Sequence, residues 1–251
     1  MIPDSADLRS ENFFIREGYR ANINRVSDAS TGENYWSDWR IRESRRYQYD
    51  VYILCRRLLK QMQSPSLLEI GCGPAIKTRE LLASNCSEVV LMDQPETRSL
   101  VARSFPASAF HGLDLESANL ELDREFDMIL CADVLEHLTN PTPCLELISR
   151  HMAKSSIAVL STPERDNLRG DACTACLKSD HVREWNAREF RRYVESLGFE
   201  VIEQCLCPQV RQSIFRHLTR WASGNAQRRA VWLGCQVITV RLEQSAMRRN
   251  P

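Results

Sequence analysis

From Leu67 onward, short apolar runs alternate with longer stretches in which apolar residues recur every three or four positions. A short apolar run between polar or glycine positions reads as a buried strand, and the longer spacing reads as amphipathic helix. The strands predicted this way are Leu67–Ile70, Glu88–Met92, Ser108–His111, Phe126–Cys131, Ser156–Ser161, Phe199–Cys205 and Trp232–Leu242. Their alternation with helices predicts an α/β Rossmann-like fold, a seven-stranded sheet with helices on both faces. Before the sixth strand, Asn186 and Glu189 form a helix-capping signal, and Phe190, Tyr193, Val194 and Leu197 follow at helical spacing. Gly198 closes that helix.

Upstream, Tyr47, Val51, Leu54 and Leu58 share one helical face, so the segment from Trp36 to Met62 predicts a single amphipathic helix. The polar, proline-containing break at Gln63 to Ser66 divides the chain into an N-terminal helical cap, residues 1–63, and a main domain, residues 64–251. The cap is expected to cover the main domain's ligand, with Tyr47 and Tyr49 as candidates for the pocket wall.

Composition narrows the partners. At 251 residues and 43% hydrophobic the chain can bury one large core. Thirty-three basic residues balance 33 acidic ones, so no overall field recruits nucleic acid, and the partner has to be read from a site. The opening MIPDSADLRS lacks signal-peptide character and no apolar run approaches the roughly 20 residues of a membrane span, which predicts a cytoplasmic protein. The ten cysteines lie mostly in apolar segments and are expected to be reduced. Cys173-Thr-Ala-Cys176 is half of a zinc site, but Cys205-Leu-Cys207 has the wrong spacing for the other half. The arginines between 211 and 229 read as the solvated face of an amphipathic helix.

The chemistry begins at Leu67-Leu-Glu-Ile-Gly-Cys-Gly73, an apolar strand ending in a glycine turn where a ligand can approach bare backbone. Ile76 stands where a dinucleotide fingerprint wants its third glycine, which favours adenosine without pyrophosphate. Asp93, about 20 residues after the glycines, ends the second strand beside Gln94 and suits the ribose hydroxyls. Asp114, flanked by Leu113 and Leu115, suits the adenine amino group. The fourth strand ends at Ala132 and Asp133, at the edge where reacting centres lie.

With Asp133-Val-Leu-Glu-His137 and Ser161-Thr-Pro-Glu-Arg165, these residues resemble the class I S-adenosylmethionine-dependent methyltransferases from Leu67 to about Glu203. The resemblance implies a sheet whose last strand is antiparallel, Glu69 near the cofactor's methionine amino group, and Gly71, Cys72 and Gly73 beneath it. The combination of Ser161-Thr-Pro-Glu-Arg165 with His181-Val-Arg-Glu-Trp185 further resembles a bacterial subgroup associated with sugars and other small metabolites.

Methyl transfer to an alcohol needs a group that removes the hydroxyl proton. His137 and His181 are the candidates, with Asp133 beside them. Asp133, Glu136 and His137, spaced to share one side of a helical turn, would with His181 also suit Mg²⁺ or Mn²⁺. That set resembles the metal-assisted small-RNA 3′-terminal and ubiquinone-pathway O-methyltransferases, although Asp133 replaces their glutamate. The leading expectation is O-methylation of a small hydroxylated metabolite, sugar or natural product. The alternatives are 2′-O-methylation of an RNA 3′-terminal ribose and a noncatalytic cofactor-binding subunit.

Overall fold

The computed structural model describes residues 12–23, 36–117, 122–211 and 233–243. The arginine-rich segment beyond Arg211 and the expected start of the last strand at Trp232 lie outside the described residues. The strands are β1 Ser66–Ile70, β2 Glu88–Asp93, β3 Ala109–Gly112, β4 Phe126–Ala132, β5 Met152–Pro163, β6 Phe199–Cys207 and β7 Cys235–Leu242. They form one sheet in the order β3-β2-β1-β4-β5-β7-β6. The pairs from β3 through β5 are parallel, and β7 runs antiparallel to both β5 and β6. The predicted fold is therefore the observed one.

β5 begins four residues before its predicted start because Lys154 and Ser155 are exposed and hide the apolar pattern. There the pairing jumps from Phe126↔Met152 to Met128↔Ile157, and Ser156 Oγ donates to the Phe126 carbonyl (2.5 Å). Such an irregularity breaks the two-residue period on which strand prediction depends.

The helices are α1 Asp38–Glu43, α2 Tyr49–Leu59, α3 Arg98–Ser104, α4 Thr142–Arg150, α5 Arg165–Arg169 and α6 Ala187–Ser196. α6 carries the predicted capping box between Asn186 and Glu189. Alternate strand residues divide the core between the sheet's faces. On one face Leu68, Ile129, Leu160 and Ile238 pack with Leu145 and Ile148 of α4 and Phe190 and Val194 of α6. On the other, Leu67, Met128, Val159 and Val237 pack with Val51, Tyr52, Cys55 and Leu59 of α2. The N-terminal apolar stripe thus finds its partner on the sheet itself.

The single helix predicted from Trp36 to Met62 is two helices. Between them Gln48 adopts φ +49°. Its amide donates to the Gln209 carbonyl (2.8 Å), Tyr47 bridges to Val210, and Arg211 N donates to the Arg46 carbonyl (2.7 Å). These strand-like bonds to residues 209–211, just beyond β6, take backbone groups a continuous helix would use internally, so tertiary pairing overrides the local pattern. No helix among the described residues is long and apolar enough to cross a membrane.

Candidate active site

At the carboxyl edge of the parallel strands lies a cavity of about 630 Å³, within the range of small-molecule sites. Gly71, Cys72 and Gly73 line it, and the two glycines have φ +73° and +51°. A Cβ on Gly71 would stand 2.2 Å from Val134 Cγ2, and one on Gly73 would stand 2.6 Å from the Trp36 ring. The turn therefore requires glycine for backbone conformation and for space. Ala75 continues it with φ +51° and lines the same wall.

Asp93 lines the cavity where β2 ends. Its Oδ2 accepts from Gly73 N (2.6 Å) and its Oδ1 from Gln94 N (2.7 Å). Burial pushes its pKa up to about 6, against the lowering effect of those two amides. Gln94, Asp114, Leu115 and Ala132 also line the cavity, and Asp114 Oδ1 accepts from Glu116 N (3.0 Å).

Leu113 is half-buried behind this wall, where it packs on the core. Glu69 also lies behind the wall. It is fully buried, accepting from Tyr52 Oη (2.5 Å) and from Thr78 Oγ1. Burial lifts its pKa to about 7.

The opposite end of the cavity holds both predicted histidines. His137 sits in a tight turn over Leu135–His137, and the chain entering His181–Trp185 docks on that turn. Val182 N donates to the Glu136 carbonyl (2.8 Å), and the buried Arg183 guanidinium donates to the carbonyls of Leu138 (2.8 Å) and Thr139 (2.7 Å). The two imidazole rings consequently meet edge to face, 4.7 Å apart. His137 Nδ1 lies 2.6 Å from the Asp180 carbonyl oxygen, which only accepts, so Nδ1 carries the proton and Nε2 keeps its lone pair. His181 Nδ1 faces Glu184 Oε1 at 3.0 Å, and the same reasoning leaves its Nε2 bare. Glu184 also receives both arms of Arg169 (3.0 Å each). Burial alone would raise the Glu184 pKa, but the bonds from His181 and Arg169 prevail and hold it near 2.

Burial, reinforced by the neighbouring His181 and Lys178, drives the His137 pKa down to about 3, so the ring is neutral at physiological pH. Glu136 is fully buried and its carboxyl is raised by burial and by Asp133. Its Oε2 accepts from Thr162 Oγ1 (3.1 Å), while Oε1 has no hydrogen-bond partner.

Of the predicted metal set, the structure gathers Glu136, His137 and His181, whose ligand atoms lie within 4.8 Å of one another. Asp133 stands outside that group. It adopts φ +50° ahead of the tight turn, and its carboxylate accepts from Gln48 Nε2 and Ser161 Oγ, both at 2.7 Å. Its spacing from Glu136 and His137 would align the three only in a continuous helix, which the left-handed residue interrupts.

The Ser161-Thr-Pro-Glu-Arg165 run supports this edge. Ser161 and Thr162 hold Asp133 and Glu136, Glu164 accepts from the Asn167 and Ala187 amides, and buried Arg165 pairs with Glu189 (2.6 and 3.0 Å). Residues 12–23 brace the loop before His181. Arg20 exchanges backbone bonds with Thr174 (2.8 Å) and Cys176 (3.0 Å), and Tyr19 Oη accepts from Glu184 N (3.1 Å). All ten cysteines are free.

Several lining residues carried no sequence signal: Trp36, Trp39, Gln48, Lys77 and Lys178. Lys77 is the least expected, because burial lowers its pKa to about 8 while its ammonium donates to the Ser44 carbonyl (2.7 Å) and lies 4.6 Å over the Tyr52 ring. Its position just after the glycine turn was the available clue. Tyr47 lines the cavity as expected, whereas Tyr49 packs under the Arg211 guanidinium at 4.1 Å.

Residues 39–204 match a family model described as a methyltransferase domain. A Mycobacterium tuberculosis protein named "Probable S-adenosylmethionine-dependent methyltransferase" is 28% identical over 192 residues, 74% of this chain and 64% of the relative. The chain thus spans less than two thirds of that relative's length. A ubiquinone biosynthesis O-methyltransferase from Rickettsia akari is 23% identical, with 48% of this chain and 49% of the relative matched. Among solved structures, the N-methyltransferase NodS from Bradyrhizobium japonicum, in complex with S-adenosyl-l-homocysteine, superimposes with a TM-score of 0.56 at 15% identity. That superposition covers 95% of this chain and 99% of NodS.

Proposed function

The chain belongs to the class I S-adenosylmethionine-dependent methyltransferase family, and on that premise we propose that it methylates a hydroxyl of a small metabolite, sugar or natural product. The observation that carries the proposal is the His137 Nε2 lone pair, in the same cavity as the glycine turn and fixed by the Nδ1 bond to Asp180.

The residues at the first end of the cavity fit S-adenosylmethionine. Gly71 and Gly73 expose bare backbone along the cavity wall, and Asp93 keeps lone pairs for ribose hydroxyls beyond its two amide bonds. Asp114 and Leu115 would meet the adenine. The cofactor supplies an electrophilic methyl carbon on a sulfonium. The chain's own task is to hold the acceptor in line and take its proton. His137 Nε2 would accept that proton as the O–C bond forms and the acceptor oxygen becomes a strongly acidic oxonium, a transfer open even to a base whose pKa is about 3. The Asp180 carbonyl fixes the ring's orientation while it does so. Trp36, Trp39 and Tyr47 on the wall would limit water in the cavity.

The test is turnover against a panel of alcohols and amines. His137→Ala should lower kcat ~10²–10⁴-fold with cofactor Kd unchanged. Equal kcat in the variant, or methylation confined to amines, would overturn the reading.

The partnerless Glu136 Oε1 favours a second reading in which Glu136, His137 and His181 hold Mg²⁺ or Mn²⁺. Two neutral imidazoles with unprotonated Nε2 atoms and a carboxylate oxygen form a suitable donor set once the Lys178 ammonium leaves His181 Nε2, and the ion would polarise the acceptor oxygen. EDTA separates the readings: it abolishes turnover in the second and leaves it intact in the first.

A further inference from the structure

We propose that Lys178 is a tethered cation that holds His181 Nε2, one of the ligand atoms a divalent ion would need in the Glu136–His137–His181 cluster, so that the resting site excludes metal. The proposal rests on the reading in which His137 works without metal.

Lys178 Nζ lies 2.7 Å from His181 Nε2, the nitrogen left bare by the Glu184 contact. An ammonium can only donate, so that bond consumes the lone pair a metal would need. The same ammonium lies 3.4 Å from Asp180 Oδ1. Its charge also acts on Glu136, His137 and Asp180, although its direct contacts are with His181 and Asp180. A divalent ion approaching the cluster would also meet this ammonium within a few ångströms, where like charges repel.

The cluster's remaining features suit an ion once the ammonium leaves. Each imidazole has its far nitrogen oriented by an acceptor, the Asp180 carbonyl for His137 and the Glu184 carboxylate for His181. That arrangement is how metal-ligating histidines are held. Glu136 Oε1 is buried without a hydrogen-bond partner. Lys178 itself can leave, since its side chain is 46% exposed and it comes from the loop between α5 and α6. The flexible stem therefore supplies a cation of lower charge than a metal, one that is not lost to chelators.

The experiment measures Mn²⁺ binding to the full chain by electron paramagnetic resonance, without cofactor or acceptor. Lys178→Met should bind Mn²⁺ at least tenfold more tightly than the wild type, and Lys178→Arg, which keeps a cation, should bind as weakly as the wild type. Adding Glu136→Gln to Lys178→Met should remove the gained affinity and so locate the ion. Equal Mn²⁺ affinity in wild type and Lys178→Met overturns the proposal, as does absence of binding in a Lys178→Met protein with the wild-type melting curve. Because no methyl transfer is measured, failure here leaves the proposed reaction standing, and absence of turnover leaves this result standing.

Discussion

Gln48 Nε2 donates to Asp133 Oδ2 across 2.7 Å, and both residues adopt left-handed backbone, at φ +49° and +50°. One comes from the turn between α1 and α2 and the other from the end of β4, so a single side-chain bond ties the N-terminal helices to the reacting edge. Left-handed backbone is costly for residues with a Cβ, and the surrounding bonds must hold both in place. Gln48→Ala should lower unfolding free energy by about 1.5–3 kcal/mol, the scale of a hydrogen bond to a charged group, and reduce kcat. Gln48→Gly should lose less stability, because glycine tolerates the conformation, yet show the same fall in kcat. Urea denaturation and steady-state kinetics read the two effects separately. Wild-type behaviour of Gln48→Ala in both would show that the bond does neither.

Asp93→Ala should weaken S-adenosylhomocysteine binding ~10–150-fold, the equivalent of about 1.5–3 kcal/mol. The Asp93 pKa lies near 6, and the ionised form is the better hydroxyl acceptor, so wild-type affinity should rise as pH increases through about 6. Asp93→Asn should flatten that dependence. Calorimetry between pH 5 and 8 measures both, and a flat wild-type profile would remove Asp93 from the ribose site.

Gly73→Ala should impair cofactor binding through two separable effects, a Cβ 2.6 Å from the Trp36 ring and a positive φ. Adding Trp36→Ala should recover part of the affinity, because it removes the clash and leaves the backbone cost. Full recovery would mean that the conformation itself costs nothing.

Glu69 gives a pH effect opposite to that of an ordinary surface carboxylate. Its folded pKa is about 7 against an ordinary value of 4.5, so the native state holds its proton longer than the unfolded chain. The contribution to stability is complete below about 4.5 and is lost as pH rises through about 7. Unfolding free energy measured from pH 4 to 8 should contain this declining component, and the difference between wild type and Glu69→Gln should change across that window. A constant difference would show that Glu69 does not titrate there.

The strand pattern and the order of the glycines, Asp93 and Asp114 were legible because each depends on neighbours in sequence. Apolar spacing marks a strand, and only glycine fits the turn after β1. The pairing of His137 with His181 was legible too, since loops after adjacent parallel strands reach one edge. Asp133 shows the limit of that reasoning. Its spacing to His137 suggested a shared helical face, but one left-handed residue turned its carboxylate toward Gln48 and Ser161.

The amino-acid sequence by itself determined the α/β class, the glycine cradle and the acidic residues along one sheet edge, because local periodicity and backbone sterics act over a few residues. Tertiary structure decided that the helix from Trp36 breaks at Gln48, that Glu69 lies behind the cavity wall, and that Lys178 sits on His181 Nε2. Each of those outcomes turns on hydrogen bonds and charges between residues distant or misaligned in sequence. Their energies exist only once the folded backbone has brought the partners within about 3 Å.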